Sequence, residues 1–302
     1  MPVYATRHLS TPRRRTSLPA DGLLLVDKPA GVTSHDVVAA ARRALGERRI
    51  GHLGTLDPFA TGLLVLLVGR ATRLARFIEA EPKVYDAVIA FGGETSTDDL
   101  TGDVTRAAPP PHADALAGAV AQLTGILDQL PPAYSAKKVE GERAYRAARE
   151  GRTLELRAAR IVVHEWQIHD FDGQRLRATI RCGGGTYIRA LARDLGRLTA
   201  SAAHLAALRR TAAGPFEAAH AVPLLQLPER AAAALLPSLQ GLPGLPRQRL
   251  DDDARRRVTS GNTIAADLDG DRAALVGGDG SLVALAERRG DRWQPRVVLQ
   301  DD

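Results

Sequence analysis

Gly51-His52-Leu53-Gly54-Thr55-Leu56-Asp57-Pro58-Phe59-Ala60-Thr61-Gly62 is the most informative stretch of the chain. It sets a carboxylate in a glycine-punctuated loop between a helical pattern and an apolar run. Thr33 or Ser34 can cap a helix reaching to about Gly46, with Val37, Ala41 and Leu45 as its buried stripe. The apolar run Leu63 to Val68 reads as a strand buried on both faces. Pro58 restricts the backbone of Asp57, and the glycines let another backbone or a ligand approach closely. On this segment alone two readings of Asp57 stand side by side. It is a catalytic carboxylate on a loop held by a rigid scaffold, or an Asx-turn residue that closes the loop.

Upstream, Leu23 to Val26 predicts a short strand, closed by Asp27-Lys28-Pro29 and a turn at Ala30-Gly31. Residues 1–20 carry Arg7, Arg13, Arg14 and Arg15 with no acids, and read as a disordered basic tail. Downstream, Ala71 to Glu81 predicts a helix and Val84 to Phe91 a strand. Pro109-Pro110-Pro111 break the chain before a helix with Leu116, Val120 and Leu123 on one face. Residues 131–158 are basic and loop-rich. Leu176 to Cys182 alternates as a half-buried strand. A helix then begins near Tyr187, with Ile188, Leu191 and Leu195 buried and Arg189 and Arg193 on another face. The prolines and glycines of 237–248 mark a linker between a large domain, 21–236, and a small β-rich module, 249–302.

Composition narrows the partners. The chain has 302 residues, 44% of them hydrophobic and 25% charged, as in ordinary globular proteins. A formal charge of +6 favours an anionic partner. The single cysteine, Cys182, excludes an intrachain disulfide framework and a cysteine-based zinc site. The histidines show no ligand-like spacing, and the longest apolar run is far short of a membrane span. No signal-type apolar stretch accompanies the N-terminal arginines, so the expected location is the cytoplasm.

Several segments together carry a resemblance. Gly51 to Gly62, followed by Gly69-Arg70-Ala71-Thr72-Arg73, resembles the signature of bacterial tRNA pseudouridine-55 synthases, the TruB family. Leu25-Val26-Asp27-Lys28-Pro29 with Gly31-Val32-Thr33-Ser34 is similar to that family's opening strand and turn. Lys83-Val84-Tyr85 resembles its tyrosine motif, and Pro131-Pro132-Ala133-Tyr134-Ser135-Ala136-Lys137-Lys138 its RNA-contacting segment. Gly185-Thr186-Tyr187-Ile188-Arg189 with Asp194-Leu195-Gly196 resembles its arginine motif. Ala203-His204-Leu205, Leu208-Arg209-Arg210-Thr211, Gly214 and Phe216 are similar to the segment after it. The resemblance spans about residues 22–216. It departs at Gly183-Gly184-Gly185, where relatives often carry a polar or basic residue, and at the extra basic tail.

The resemblance implies an α+β fold of the pseudouridine synthase type. A central mixed, mostly antiparallel sheet carries flanking helices, with a C-terminal PUA-like RNA-binding domain beside it. It implies isomerisation of the T-loop uridine at tRNA position 55. Asp57, Tyr85 and Arg189 are the catalytic residues it indicates: an ionised carboxylate, a tyrosine over the base, and a guanidinium that lowers the carboxylate's pKa. His52, Asp99, Tyr187 and Leu208 are expected to bind the extruded nucleotide, and Lys138 and Arg143 to hold phosphates. The isomerisation neither oxidises nor hydrolyses, so no cofactor and no metal are expected. The partner is the tRNA T-arm, and the protein is expected to be a monomer without an obligatory protein partner. Two alternatives remain in view: an RNA-folding factor that needs no turnover, and a synthase acting on another RNA with a guide.

Overall fold

The computed structural model describes residues 21–134, 138–139, 142–143 and 156–299. The expectations placed on residues 1–20, and on the side chains of Lys138 and Arg143, lie outside this description.

Apolar strands that can be buried on both sides organise the core. Thr61–Val68 pairs antiparallel with Gly22–Lys28, from Gly22 opposite Val68 to Lys28 opposite Gly62. Because side chains alternate along a strand, its two faces enter different clusters. Leu63, Val65 and Leu67 pack with Ala71, Leu74 and the C-terminal residues Ala274, Val276 and Leu285. Leu64, Leu66 and Val68 pack with Val37, Val38 and Ala41 of the helix Ser34–Leu45. Each such leucine contributes about 1.5–3 kcal/mol by leaving water. Thr33 caps that helix with a reciprocal capping box to Asp36, and Gly46 ends it in the left-handed region.

The main sheet runs in the order Val222–Pro223, Gly22–Lys28, Thr61–Val68, Ala203–Ala213, Lys83–Phe91, Arg175–Cys182, Ala159–Phe171, Gly125–Gln129. Two of these neighbour pairs are parallel: Gly22–Lys28 with Val222–Pro223, and Thr61–Val68 with Ala203–Ala213. The remainder along this path are antiparallel, so the sheet is mixed and mostly antiparallel. Tyr85, Ala87, Ile89 and Phe91 turn one face of the central strand toward the helices Asp114–Gln122 and Ile188–Leu198. That face also holds Leu56 and Leu208.

Two local expectations differ from the structure. The segment 71–81 is not a helix: a 3-10 turn over Gly69–Leu74 gives way to bends. Glu79 donates its N–H to Gly241 instead of back along its own segment, and Pro82 disfavours helical backbone at Glu81. His52 does not lie in an irregular loop. It belongs to the strand Ile50–Leu53, which pairs with Val65–Val68.

Beyond 246 a five-stranded sheet forms a small β-rich domain, ordered Arg247–Arg249, Arg272–Val276, Leu282–Arg289, Arg292–Val298, Ile264–Ala265. Its core centres on Trp293, fully buried, whose indole N–H donates to Gln248 Oε1 at 2.6 Å. Asp251 caps the helix Asp252–Thr259 by accepting from the Ala254 N–H.

Candidate active site

The loop that presents Asp57 is tied down at both ends. Ser34 Oγ accepts from the Leu56 N–H at 3.0 Å and donates to the Leu56 carbonyl at 3.1 Å. The Gly31 N–H donates to the Pro58 carbonyl at 2.8 Å. Lys28, with no exposed surface, donates its ammonium to the carbonyls of Pro29, Val32 and Pro58. Burial lowers its pKa to about 8, although the Asp57 charge pulls the other way. Gly62 adopts φ +99°, and the Arg210 carbonyl fills the space a Cβ would need. Only glycine serves there. The sequence thus builds a rigid turn whose apex is a carboxylate.

Arg189 comes to Asp57 from the first turn of the helix Ile188–Leu198. Gln129 anchors that helix start, accepting from the Tyr187 N–H at 2.9 Å and donating to its carbonyl at 3.0 Å. Arg189 Nη2 donates to Asp57 Oδ1 at 3.1 Å, while Nε stands 2.9 Å from Oδ2 without hydrogen-bond alignment. The guanidinium also donates to the carbonyls of Thr97 and Tyr134, each at 2.9 Å. Asp99 Oδ2 lies 3.5 Å from Arg189 Nη1, and its Oδ1 holds its own turn through Thr97 and Thr101. Arg193, one turn further, pairs with Asp98 at 2.9 Å. Both arginines are therefore buried partners of acids, not members of a solvated helix face.

Asp57 departs from expectation in its titration. The resemblance implied a carboxylate whose pKa is lowered by Arg189. Burial instead raises it, Arg189 opposes, and Asp99 adds to the rise. About 34% of the Asp57 side chain stays open to the cavity, so the carboxylate is held by the arginine yet accessible. Tyr85 is buried, and burial raises its pKa, with Arg210 opposing. Its hydroxyl therefore stays protonated at neutral pH.

These side chains enclose one cavity of about 240 Å³. Asp57, Tyr85, Tyr187, Arg189 and Leu208 all line it, with Gly183, Gly185 and Thr186 along one wall. Asp99 stands behind Arg189 and is not among the lining residues. His52 is also outside the lining; its ring meets His35 edge-on at 6.0 Å, and burial lowers its pKa. Lys83 and Arg210 line the cavity too. Both lie within the motifs around Tyr85 and Leu208, where residue order alone assigned them no role. The available signal was spacing: Lys83 precedes Tyr85 by two and Arg210 follows Leu208 by two. Arg210 donates to the carbonyls of Leu63 and Gly54 at 2.7 and 2.9 Å. At Gly184 an added Cβ would meet the carboxylate of Glu81, the movable end of an exposed side chain. Among the described residues no cluster of three His, Cys, Asp or Glu is placed to hold a metal, and no helix is long and apolar enough to cross a membrane.

Comparison with known proteins follows the same outline. Residues 42–188 match the family model described as TruB family pseudouridylate synthase, N-terminal domain. Residues 189–236 match that of the tRNA pseudouridylate synthase B C-terminal domain. The tRNA pseudouridine synthase B of Thermobifida fusca (strain YX) is 44% identical over 291 residues, which is 93% of this chain and 99% of that protein. The enzyme of the same name from Arthrobacter sp. (strain FB24) is 42% identical over 303 residues, 92% of this chain and 96% of that protein. Among solved structures, a chain of a Cbf5–Nop10–Gar1 complex is 25% identical with a TM-score of 0.70, covering 93% of this chain and 86% of that one.

Proposed function

The chain belongs to the TruB family of pseudouridylate synthases, and from that premise we propose that its cavity isomerises the T-loop uridine at tRNA position 55, with Asp57 as the essential carboxylate. The protein is a tRNA pseudouridine synthase, an isomerase. The observation that carries the residue assignment is the pairing of Asp57 with Arg189 at 3.1 Å on the wall of a cavity that Tyr85 also lines.

The geometry supports a division of labour. A uridine in a folded T-loop must swing out to reach Asp57, at a cost of a few kcal/mol. Leu208 and the Tyr85 ring supply apolar surface for the base, and Tyr187 lines the same cavity at the helix start. Arg189 fixes the Asp57 rotamer and stabilises its charged form against burial. Ionised, Asp57 acts at the ribose or the base while the N1–C1′ bond breaks. The uracil turns and C5 bonds to C1′. In this reading the Tyr85 hydroxyl, which lines the same cavity, transfers the proton at C5. Nothing in this sequence of steps consumes a cofactor.

The same reading places the substrate contact in the tRNA T-arm, with Lys138 and Arg143 on phosphates, His52 beside the displaced nucleotide, and the domain after residue 248 touching tRNA outside the target loop. It makes the protein a cytoplasmic monomer that works without a guide RNA or protein partner. Two assays test it. Pseudouridine mapping in tRNA from cells lacking the protein should show loss at the T-loop uridine alone. Purified protein should modify a tRNA transcript with nothing else added. Turnover that requires a guide or a second protein would overturn the stand-alone reading.

A further inference from the structure

The cavity carries a surplus of two positive charges. Arg189 is matched by Asp57, but Lys83 and Arg210 also line the wall, and among the described residues neither has an ion-pair partner. Arg210 at least spends its N–H groups on the carbonyls of Leu63 and Gly54. Among the described residues Lys83 Nζ makes no such bond. Arg210 is buried and Lys83 half-buried, and cations drawn partly out of water in a cavity suit a site that an anion enters.

Position is as telling as charge. Lys83 and Tyr85 alternate on the strand Lys83–Phe91 and so present to the same face, about 7 Å apart along the strand. Gly54, three residues before Asp57, leaves the space into which both cations lean. A Cβ there would stand 3.2 Å from Arg210 Nη1, 3.3 Å from Lys83 Cε and 3.7 Å from Lys83 Nζ. Thr186 also lines the cavity, its buried Oγ1 without an aligned hydrogen-bond partner but beside the Cys182 thiol. An ammonium without an ion pair among the described residues and a hydroxyl thus line one cavity with the carboxylate.

We propose that Lys83 is a further catalytic residue of the isomerisation, its ammonium stabilising the uracil anion that exists while the base is detached. This rests on the reading of the cavity given above. When N1–C1′ breaks, the bonding electron pair stays on the ring, spread over N1, O2 and O4. The electron-poor ribose is satisfied at Asp57, either by ester formation at C1′ or by loss of the C2′ proton. Rejoining through C5 returns the pair to a C–C bond, as the C1′–O bond to Asp57 breaks in the first case or Asp57 gives the proton back to C2′ in the second, leaving the carboxylate free. One proton leaves C5 and one is taken up at N1, so the product is an isomer and nothing is left over. The intermediate needs a cation close by and a site that excludes water, and the Lys83–Arg210 wall offers that opposite Asp57. Burial lowers the Lys83 pKa, the Glu81 charge opposes and Arg210 adds to the fall, so an anion beside Lys83 would restore the ammonium that burial disfavours.

The test is Lys83→Met and Lys83→Arg in the full chain, read by single-turnover pseudouridine formation and by tRNA dissociation constant. The expected result for Lys83→Met is a rate about 10²- to 10³-fold lower at saturating enzyme, with tRNA affinity unchanged. Lys83→Arg, which keeps the charge, should recover most of that loss. If Lys83 instead holds a backbone phosphate, Lys83→Met weakens tRNA binding, lowers the salt slope by about 1 and leaves the saturated rate intact. That outcome overturns the assignment, as does a Lys83→Met enzyme with native rate and affinity. Should Lys83→Met fail to fold, Lys83→Gln is judged by the same two readings. The native protein run in parallel separates the layers. If it forms no pseudouridine in tRNA, the reading of the cavity fails. If it turns over and the Lys83 variants do too, only the inference about Lys83 falls.

Discussion

Neutralising Asp57 and removing Arg189 should differ sharply in their cost to stability, although both abolish chemistry. Asp57→Asn keeps an oxygen that accepts from Arg189 Nη2, and Asp99 remains 3.5 Å from Nη1 as counter-charge. What it loses is the attraction between two full charges. What it gains is relief from holding a buried carboxylate, whose raised pKa says the fold prefers the neutral form. These terms offset to within about 1 kcal/mol, a melting shift of less than about 4 °C. Arg189→Met is different. It strands Asp57, Asp99 and the carbonyls of Thr97 and Tyr134 without their common donor, and Arg189 itself is buried. Removing one member of such a buried network costs about 3–5 kcal/mol. Calorimetric melting of the three proteins, with tRNA pseudouridine assayed in parallel, checks both halves. Asp57→Asn should bind tRNA, melt near the native temperature and form no pseudouridine. An Asp57→Asn protein that still isomerises, or that melts as low as Arg189→Met, would refute the account of a carboxylate held against its own burial.

Three further outcomes are expected. Because only ionised Asp57 acts and its pKa is raised, the single-turnover rate should fall with decreasing pH, with its midpoint above the ordinary aspartate value of 3.8. A midpoint at or below that value counts against the burial argument. Tyr85→Phe keeps the apolar ring but removes the hydroxyl beside Arg210, so the rate should drop about 10²- to 10⁴-fold with tRNA affinity preserved. Equal rates would remove the hydroxyl from the chemistry. Gly62→Ala forces a Cβ into the Arg210 carbonyl at φ +99°, and denaturant unfolding should show a loss of more than about 2 kcal/mol.

Local pattern made much of this molecule legible before any coordinates. Alternation at Leu176–Cys182 and the unbroken apolar run Leu63–Val68 specify strands because side-chain direction has period two. Thr33 and Gly46 mark the ends of a helix because backbone groups at helix termini need partners. The motif around Asp57 and its resemblance to a known family were likewise readable from residue order. Where prediction missed, the deciding bonds were distant in sequence. The segment 71–81 is bent by a hydrogen bond to Gly241, and His52 is drawn into a strand by Val65–Val68.

Residue order by itself thus determined the strands, the capped helix, the tight turn at Asp57 and the family. Tertiary structure decided how the charges meet and how deeply they are buried. It brought Arg189 across 132 positions to Asp57, buried Arg193 against Asp98, and set Lys83 on the wall of the cavity that Asp57 lines. It also reversed the expected direction of the Asp57 pKa, since desolvation depends on what surrounds a group in space. Periodicity is a property of the chain, whereas burial and Coulomb energy are properties of distance, and distance exists only after folding.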